Sequence, residues 1–116
     1  MTQEQIYESQ KIARIIHNQL GGTRFDLMTG SYNFVVIDNG IEFKLRRNQS
    51  KANWMEIKLN GLDLYDIKFL KVRGGNVNKK YEYVPITTET VKEINNVYFD
   101  QLQELFTQET GLYTRL

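Results

Sequence analysis

Between Tyr32 and Arg73 the chain carries two turn signals, Asp38-Asn39-Gly40 and Asn60-Gly61, set among alternating apolar and polar residues, and this run restricts the fold more than any other stretch. A two-residue turn of type I′ needs φ > 0 at both central positions, which Asn-Gly tolerates best, so each pair predicts a β-hairpin. The rest of the chain must then attach to an antiparallel sheet.

A turn at Asn39-Gly40 sets Asp38 opposite Ile41, Val36 opposite Phe43 and Phe34 opposite Leu45. Phe34, Val36, Phe43 and Leu45 then share one face, and Val35, Ile37, Glu42 and Lys44 the other. In the next strand Met55, Ile57 and Leu59 face together, with Trp54, Glu56 and Lys58 behind them. A two-residue turn at Asn60-Gly61 brings Met55 opposite Asp66, so an apolar face meets a carboxylate. Two arrangements relieve the conflict: a bulge near Tyr65 that returns Ile67 and Phe69 to the core, which we favour, or a second covered face over Trp54, Ile67 and Phe69.

Residues 3–20 read as an amphipathic helix with Ile6, Ile12, Ala13, Ile15, Ile16 and Leu20 on its apolar stripe, stopped by Gly21-Gly22. Residues 23–28 read as a short strand with Phe25 and Leu27 on one face, broken at Thr29-Gly30-Ser31. Residues 74–80 form a basic loop, and 81–84 a short strand before Pro85. A second helix is expected over residues 88–110, with Thr90 and Glu93 at capping-box spacing and a stripe of Val91, Ile94, Tyr98, Leu102 and Leu105, widened by Val97, Phe99 and Phe106. Gly111 ends it, and Leu112 to Leu116 form a docked tail. The expected fold is α+β: an N-terminal helix, an antiparallel meander of four to five strands and a C-terminal helix packed on the sheet, as one domain over residues 1–116.

No cysteine is present, which excludes disulfides and thiolate metal sites, and no apolar run reaches the roughly 20 residues of a membrane span. The opening Met1-Thr2-Gln3-Glu4-Gln5 lacks the pattern of a secretion signal, so the expectation is a cytoplasmic protein without a membrane partner. The single histidine, His17, has no second His or adjacent carboxylate in sequence. Asp63 and Asp66 read as cross-strand and edge polarity, Asp63 opposite Lys58. No catalytic residue, metal ligand or cofactor is assigned, and the chain is read as a binding protein rather than an enzyme, monomeric or homodimeric.

Net charge is +1, yet residues 43–80 alone carry +7, against −2 for 1–42 and −4 for 81–116. Lys44, Arg46, Arg47, Lys51, Trp54, Lys58 and Lys68 form the candidate binding set. If Trp54 faces solvent, cations around an exposed indole suit single-stranded nucleic acid, the charges following phosphates and the ring stacking a base. If Trp54 is half-buried, the lysines are edge residues that keep the sheet soluble.

From Met28-Thr29-Gly30-Ser31-Tyr32-Asn33-Phe34 onward the chain resembles small proteins of phages, prophages and other mobile elements. The resemblance continues through Lys51-Ala52-Asn53, Ile57-Lys58-Leu59-Asn60 and Asp63-Leu64-Tyr65 to Phe106-Thr107 and Thr110-Gly111-Leu112-Tyr113-Thr114. It covers most of the chain and departs from it between Asn76 and Glu93, where the connection is longer. It implies a phage accessory protein; by small size, lack of cysteine and mobile-element context such a protein is similar in kind to inhibitors of host defence such as anti-CRISPR proteins, and the expectation is one that binds a host defence nucleoprotein complex and occludes it.

Overall fold

A computed structural model describes residues 2–114 of the chain. Its first helix, α1 (Gln3–Leu20), starts at a reciprocal cap in which the Gln5 amide donates to Thr2 Oγ1 at 3.1 Å and the Thr2 amide donates to Gln5 Oε1 at 2.8 Å. Gly21, at φ 128°, ends the helix where the sequence places the stop. Ala13, Ile16 and Leu20 are buried, whereas Ile15 is exposed.

The segment expected as a first strand is instead a helix, α2 (Thr23–Thr29). Phe25 is buried but Leu27 is 81% exposed, and the residue that shares the buried face with Phe25 is Thr29, four positions on. Seven residues with two alternating apolar side chains do not separate the two periods. Thr29 Oγ1 donates to Phe25 O at 2.7 Å, and Gly30 closes the helix at φ 71°. Phe25 thereby meets Phe43 and Phe106 edge-on, with centroids 5.7 and 4.8 Å away.

The strands are β1 (Tyr32–Ile37), β2 (Gly40–Lys44), β3 (Trp54–Leu59), β4 (Tyr65–Arg73), β5 (Asn76–Val77), β6 (Tyr83–Val84) and β7 (Thr87–Val97). Antiparallel pairing in the order β1-β2-β3-β4-β7 makes a five-stranded sheet, and β5 pairs with β6. In the first hairpin the turn is Asp38-Asn39, with Asn39 at φ 60°, so Ile37 lies opposite Gly40 and Val36 opposite Ile41. The register is two residues from the expected one. A slip of two preserves the faces, so Phe34 shares the face of Phe43 as expected and stacks on it at 4.9 Å, although Val36, on the edge strand, stays 40% exposed.

The second hairpin differs by three residues, an odd number, and so its outer strand is turned over. Residues 60–64 form a five-residue loop, which places Leu59 opposite Tyr65, Ile57 opposite Ile67 and Met55 opposite Phe69. Asp66 then faces outward opposite Lys58, the place expected for Asp63, and the conflict disappears with neither expected remedy at work. A register irregularity does occur beside Tyr65, but in its pairing with β7.

Residues 88–97, expected as the first half of a helix over 88–110, belong instead to the edge strand β7. Its register with β4 is irregular in two places, and Asn96 takes φ 59°. An inserted residue spaces two same-face side chains three apart instead of two, so Ile94 and Val97, opposite Ile67 and Tyr65, imitate a helical i, i+3 pair. The helix begins only after a 3₁₀ turn, Phe99–Gln101: α3 (Leu102–Thr110), capped by Gly111 at φ 75°. Tyr98 and Phe99, placed on the expected stripe, are exposed.

One face of the sheet (Ile41, Phe43, Met55, Ile57, Ile67, Phe69) and the helices (Ile16, Leu20, Phe25, Leu102, Phe106) close a single core, with Phe34, Leu59 and Leu112 packed at its margin. Thr114 is also buried, so the tail is docked as far as it is described; Arg115 and Leu116 lie outside the described residues.

Three loops are built to one rule. In each, an Asn accepts the backbone N–H of the residue three on with its carbonyl, and that of the residue two on with its side-chain oxygen. The residue three on takes a positive φ: Lys51 (66°) after Asn48, Asp63 (60°) after Asn60 and Tyr81 (61°) after Asn78. The Asn side chain supplies an acceptor to an amide that a tight loop leaves open.

Candidate functional site

The seven residues singled out from the sequence do not form one patch. Four lie on the sheet face away from the helices. There Lys44 and Trp54 are cross-strand partners with Tyr32 on the other side of Lys44, whose Nζ sits 5.7 Å from the Trp54 ring centroid and 6.0 Å from that of Tyr32. Trp54 is half-buried in this row, which continues to Leu70.

Lys58 and Lys68 sit among carboxylates. Lys58 Nζ lies 3.5 Å from Glu56 Oε1 and is opposite Asp66, while Lys68 stands between Glu56 and Glu93 in the cross-strand row. Glu42 faces Glu56 directly across β2 and β3. Burial first, and the Glu56 charge second, push the Glu42 carboxyl up from its ordinary range, against a pull downward from Lys58. The outer face therefore mixes both signs and is not a basic surface.

Arg46, Arg47 and Lys51 lie on the loop between β2 and β3, at the end of the sheet where β4 runs out, and line a hollow of about 440 Å³ with Asn48, Gln49, Asn53 and Lys71. Among the described residues no carboxylate is within ion-pair distance of these four cations. The loop itself is firmly held. Asn48 Nδ2 donates to Arg46 O at 2.8 Å and to Ala52 O at 3.0 Å, and its Oδ1 accepts from the Ser50 amide and hydroxyl. The Gln49 amide donates to Thr110 O at 3.1 Å, tying the loop to the end of α3, and the stem of Arg46 crosses Gly30 so closely that a Cβ there would lie 2.7 Å from Arg46 Cδ.

From this same end β4 and β7 project as a two-stranded ribbon through β5 and β6 to a tip at residues 78–82. Arg73, Lys79 and Lys80 lie along it, also without an ion-pair partner among the described residues, and Val77, Tyr81, Tyr83 and Ile86 are exposed. Sequence reasoning left this ribbon out of the site. The available signal was the run from Lys71 to Lys80, with four cations and no acid.

His17, unpartnered in sequence, donates from Nε2 to Asp26 Oδ1 at 2.8 Å and lies edge-on to Phe34 at 4.9 Å. The pair fastens α1 to α2. No cluster of three or more His, Asp or Glu suited to a metal occurs among the described residues, and no described helix is long and apolar enough to cross a membrane. Comparison with protein-family models, curated proteins and solved structures gives no match to this chain.

Proposed function

We propose that this chain is a non-catalytic binding protein of a phage or other mobile element, which attaches to a host defence nucleoprotein complex and occludes it. The mobile-element setting comes from the sequence resemblance. The mode of attachment rests on one observation: Arg46, Arg47 and Lys51 converge with Lys71 on one hollow at the end of the sheet, and among the described residues no carboxylate lies within ion-pair distance of them, Glu89 standing opposite Lys71 across β4 and β7. Cations held on a rigid loop and left unpaired are suited to a phosphate-bearing surface, and a concentrated positive end speeds encounter with one. Affinity capture of the tagged protein from host lysate, with and without nuclease, tests the reading. A defined nucleoprotein that is retained by the parent chain and lost by Arg46→Ala/Arg47→Ala supports it; recovery of no nucleoprotein overturns it.

A second reading, single-stranded nucleic acid bound across the outer sheet face, draws support from Lys44 lying between the Tyr32 and Trp54 rings. Glu42, Glu56 and Glu93 in the next row weigh against it, since they repel a phosphate backbone laid along the strands. Tight, salt-sensitive binding of a labelled single strand that Trp54→Ala abolishes is the result that favours this second reading.

A further inference from the structure

We infer that the β4–β7 ribbon beyond Val72 is a finger for the major groove of duplex nucleic acid, working together with the cationic hollow at its root. The inference rests on the proposed attachment through the basic end and names the component that end meets.

The geometry is that of a lever on a fixed base. β3 stops pairing with β4 at Trp54–Leu70, and Asn53 continues the ladder by its side chain only to Val72. Residues 73–87 are then a ribbon of two strands without a third neighbour. At about 3.3 Å per residue of extended chain, about 20 Å is the upper limit for the reach of the tip beyond Arg73, which Gly74 and Gly75 at φ 89° and 76° shorten. The Gly75 amide donates to Val84 O at 2.7 Å, and a Cβ at Gly74 would fall 2.0 Å from Pro85 O, so glycine lets the two strands close tightly at the base. At the tip the Asn78 side-chain oxygen accepts from the amides of Lys80 and Glu82, which fixes the turn that carries Lys79 and Lys80.

What the ribbon displays is cationic and aromatic. Residues 73–87 contain Arg73, Lys79 and Lys80 against the single acid Glu82, and Tyr81 is 91% exposed. A two-stranded β-ribbon is one of the two elements whose width the major groove of about 12 Å admits. Lysine is depleted from the centres of protein interfaces, which argues against a protein pocket as the seat of a Lys-Lys tip. In a groove, Lys79 and Lys80 reach phosphates or base edges, while Arg73 and the hollow of Arg46, Arg47, Lys51 and Lys71 meet the backbone at the root.

The test is a titration of the full chain with a labelled mixed-sequence DNA duplex, and with its single strand, at two salt concentrations. The duplex is expected to bind more tightly than the single strand. Lys79→Ala/Lys80→Ala, at solvent-exposed positions, is expected to lower the slope of log K against log salt by about 1.8 if both side chains contact phosphates. Parent and variant should share one melting curve. Unchanged duplex affinity and slope in that variant, a preference for the single strand, or no binding to the duplex each overturn the inference. Loss in Arg46→Ala/Arg47→Ala without loss in Lys79→Ala/Lys80→Ala removes the finger and leaves the attachment through the basic end standing. The proposed function has its own failure, capture of no nucleoprotein.

Discussion

Asn53 treats Val72 as a strand partner with its side chain: Nδ2 donates to Val72 O and Oδ1 accepts from the Val72 amide, both at 2.8 Å. The carboxamide stands in for a peptide group of β3 and adds one rung to the ladder before the ribbon leaves the sheet. Asn53→Ala is expected to cost about 1 kcal/mol, since both lost bonds are solvent-accessible. Its larger effect is local. Hydrogen exchange at Val72 and along residues 73–87 should quicken while α1 keeps its protection, and uniform quickening across the chain would show that the rung does not isolate the ribbon.

Gly40 and Gly61 separate two reasons for a glycine. Both were expected at positive φ; instead Asn39 and Asp63 take that conformation. At Gly40 a Cβ would lie 2.0 Å from Ile57 O, whereas nothing comes within 4 Å at Gly61. Gly40→Ala is therefore expected to destabilise by several kcal/mol, because backbone must move, in the range of severe core changes. Gly61→Ala is expected to raise stability by about 0.4–1 kcal/mol through the unfolded chain. Denaturant midpoints of the two variants check this, and equal losses contradict it.

Glu42 gives the sheet a pH dependence. Its carboxyl is raised in the folded state by burial and by Glu56. The stability associated with the protonated form is thus complete below the unfolded pKa and is lost as pH rises through the higher folded one. Glu42→Gln should melt above the parent at neutral pH, by no more than about 1 kcal/mol because the half-buried carboxyl still reaches solvent that screens it. The difference should close below about pH 4. A difference that persists there points to packing rather than charge.

Phe43 and Leu27 test the face assignments. Phe43 is fully buried between Phe34 and Phe25, so Phe43→Ala is expected to cost about 3–5 kcal/mol. Leu27→Ala, on the exposed side of α2, should change stability by less than about 0.5 kcal/mol. A large loss at Leu27 would restore the strand reading of residues 23–28.

Where the backbone keeps one period, the sequence was readable. Gln3 to Leu20 and Trp54 to Leu59 have the predicted class and largely the predicted faces, and Gly21 and Gly111 stop their helices as expected. Errors arose where an odd number of residues changes the count. Asn96 inserts into β7 and makes Ile94 and Val97 look helical, and the residues at 60–64 turn a two-residue hairpin into a five-residue loop that flips β4. The candidate site divided for a similar reason. Lys44, Lys58 and Lys68 were grouped with Arg46, Arg47 and Lys51 by proximity in sequence, but the register puts Lys44 between Tyr32 and Trp54, Lys58 opposite Asp66, and Lys68 in a row with Glu42, Glu56 and Glu93.

The loops at Asn60 and Asn78 hold their shape through the asparagine and the backbone, and the two residues that follow the asparagine, Gly61-Leu62 and Lys79-Lys80, contribute only main chain to the hydrogen bonds that shape these turns among the described residues. Frame and cargo are thus separable. The two cations of the tip ride in a socket whose twin sits on the turn between β3 and β4, at the opposite end of the sheet. A pair of side chains can be exchanged at either site while the bonds that shape each loop stay in place.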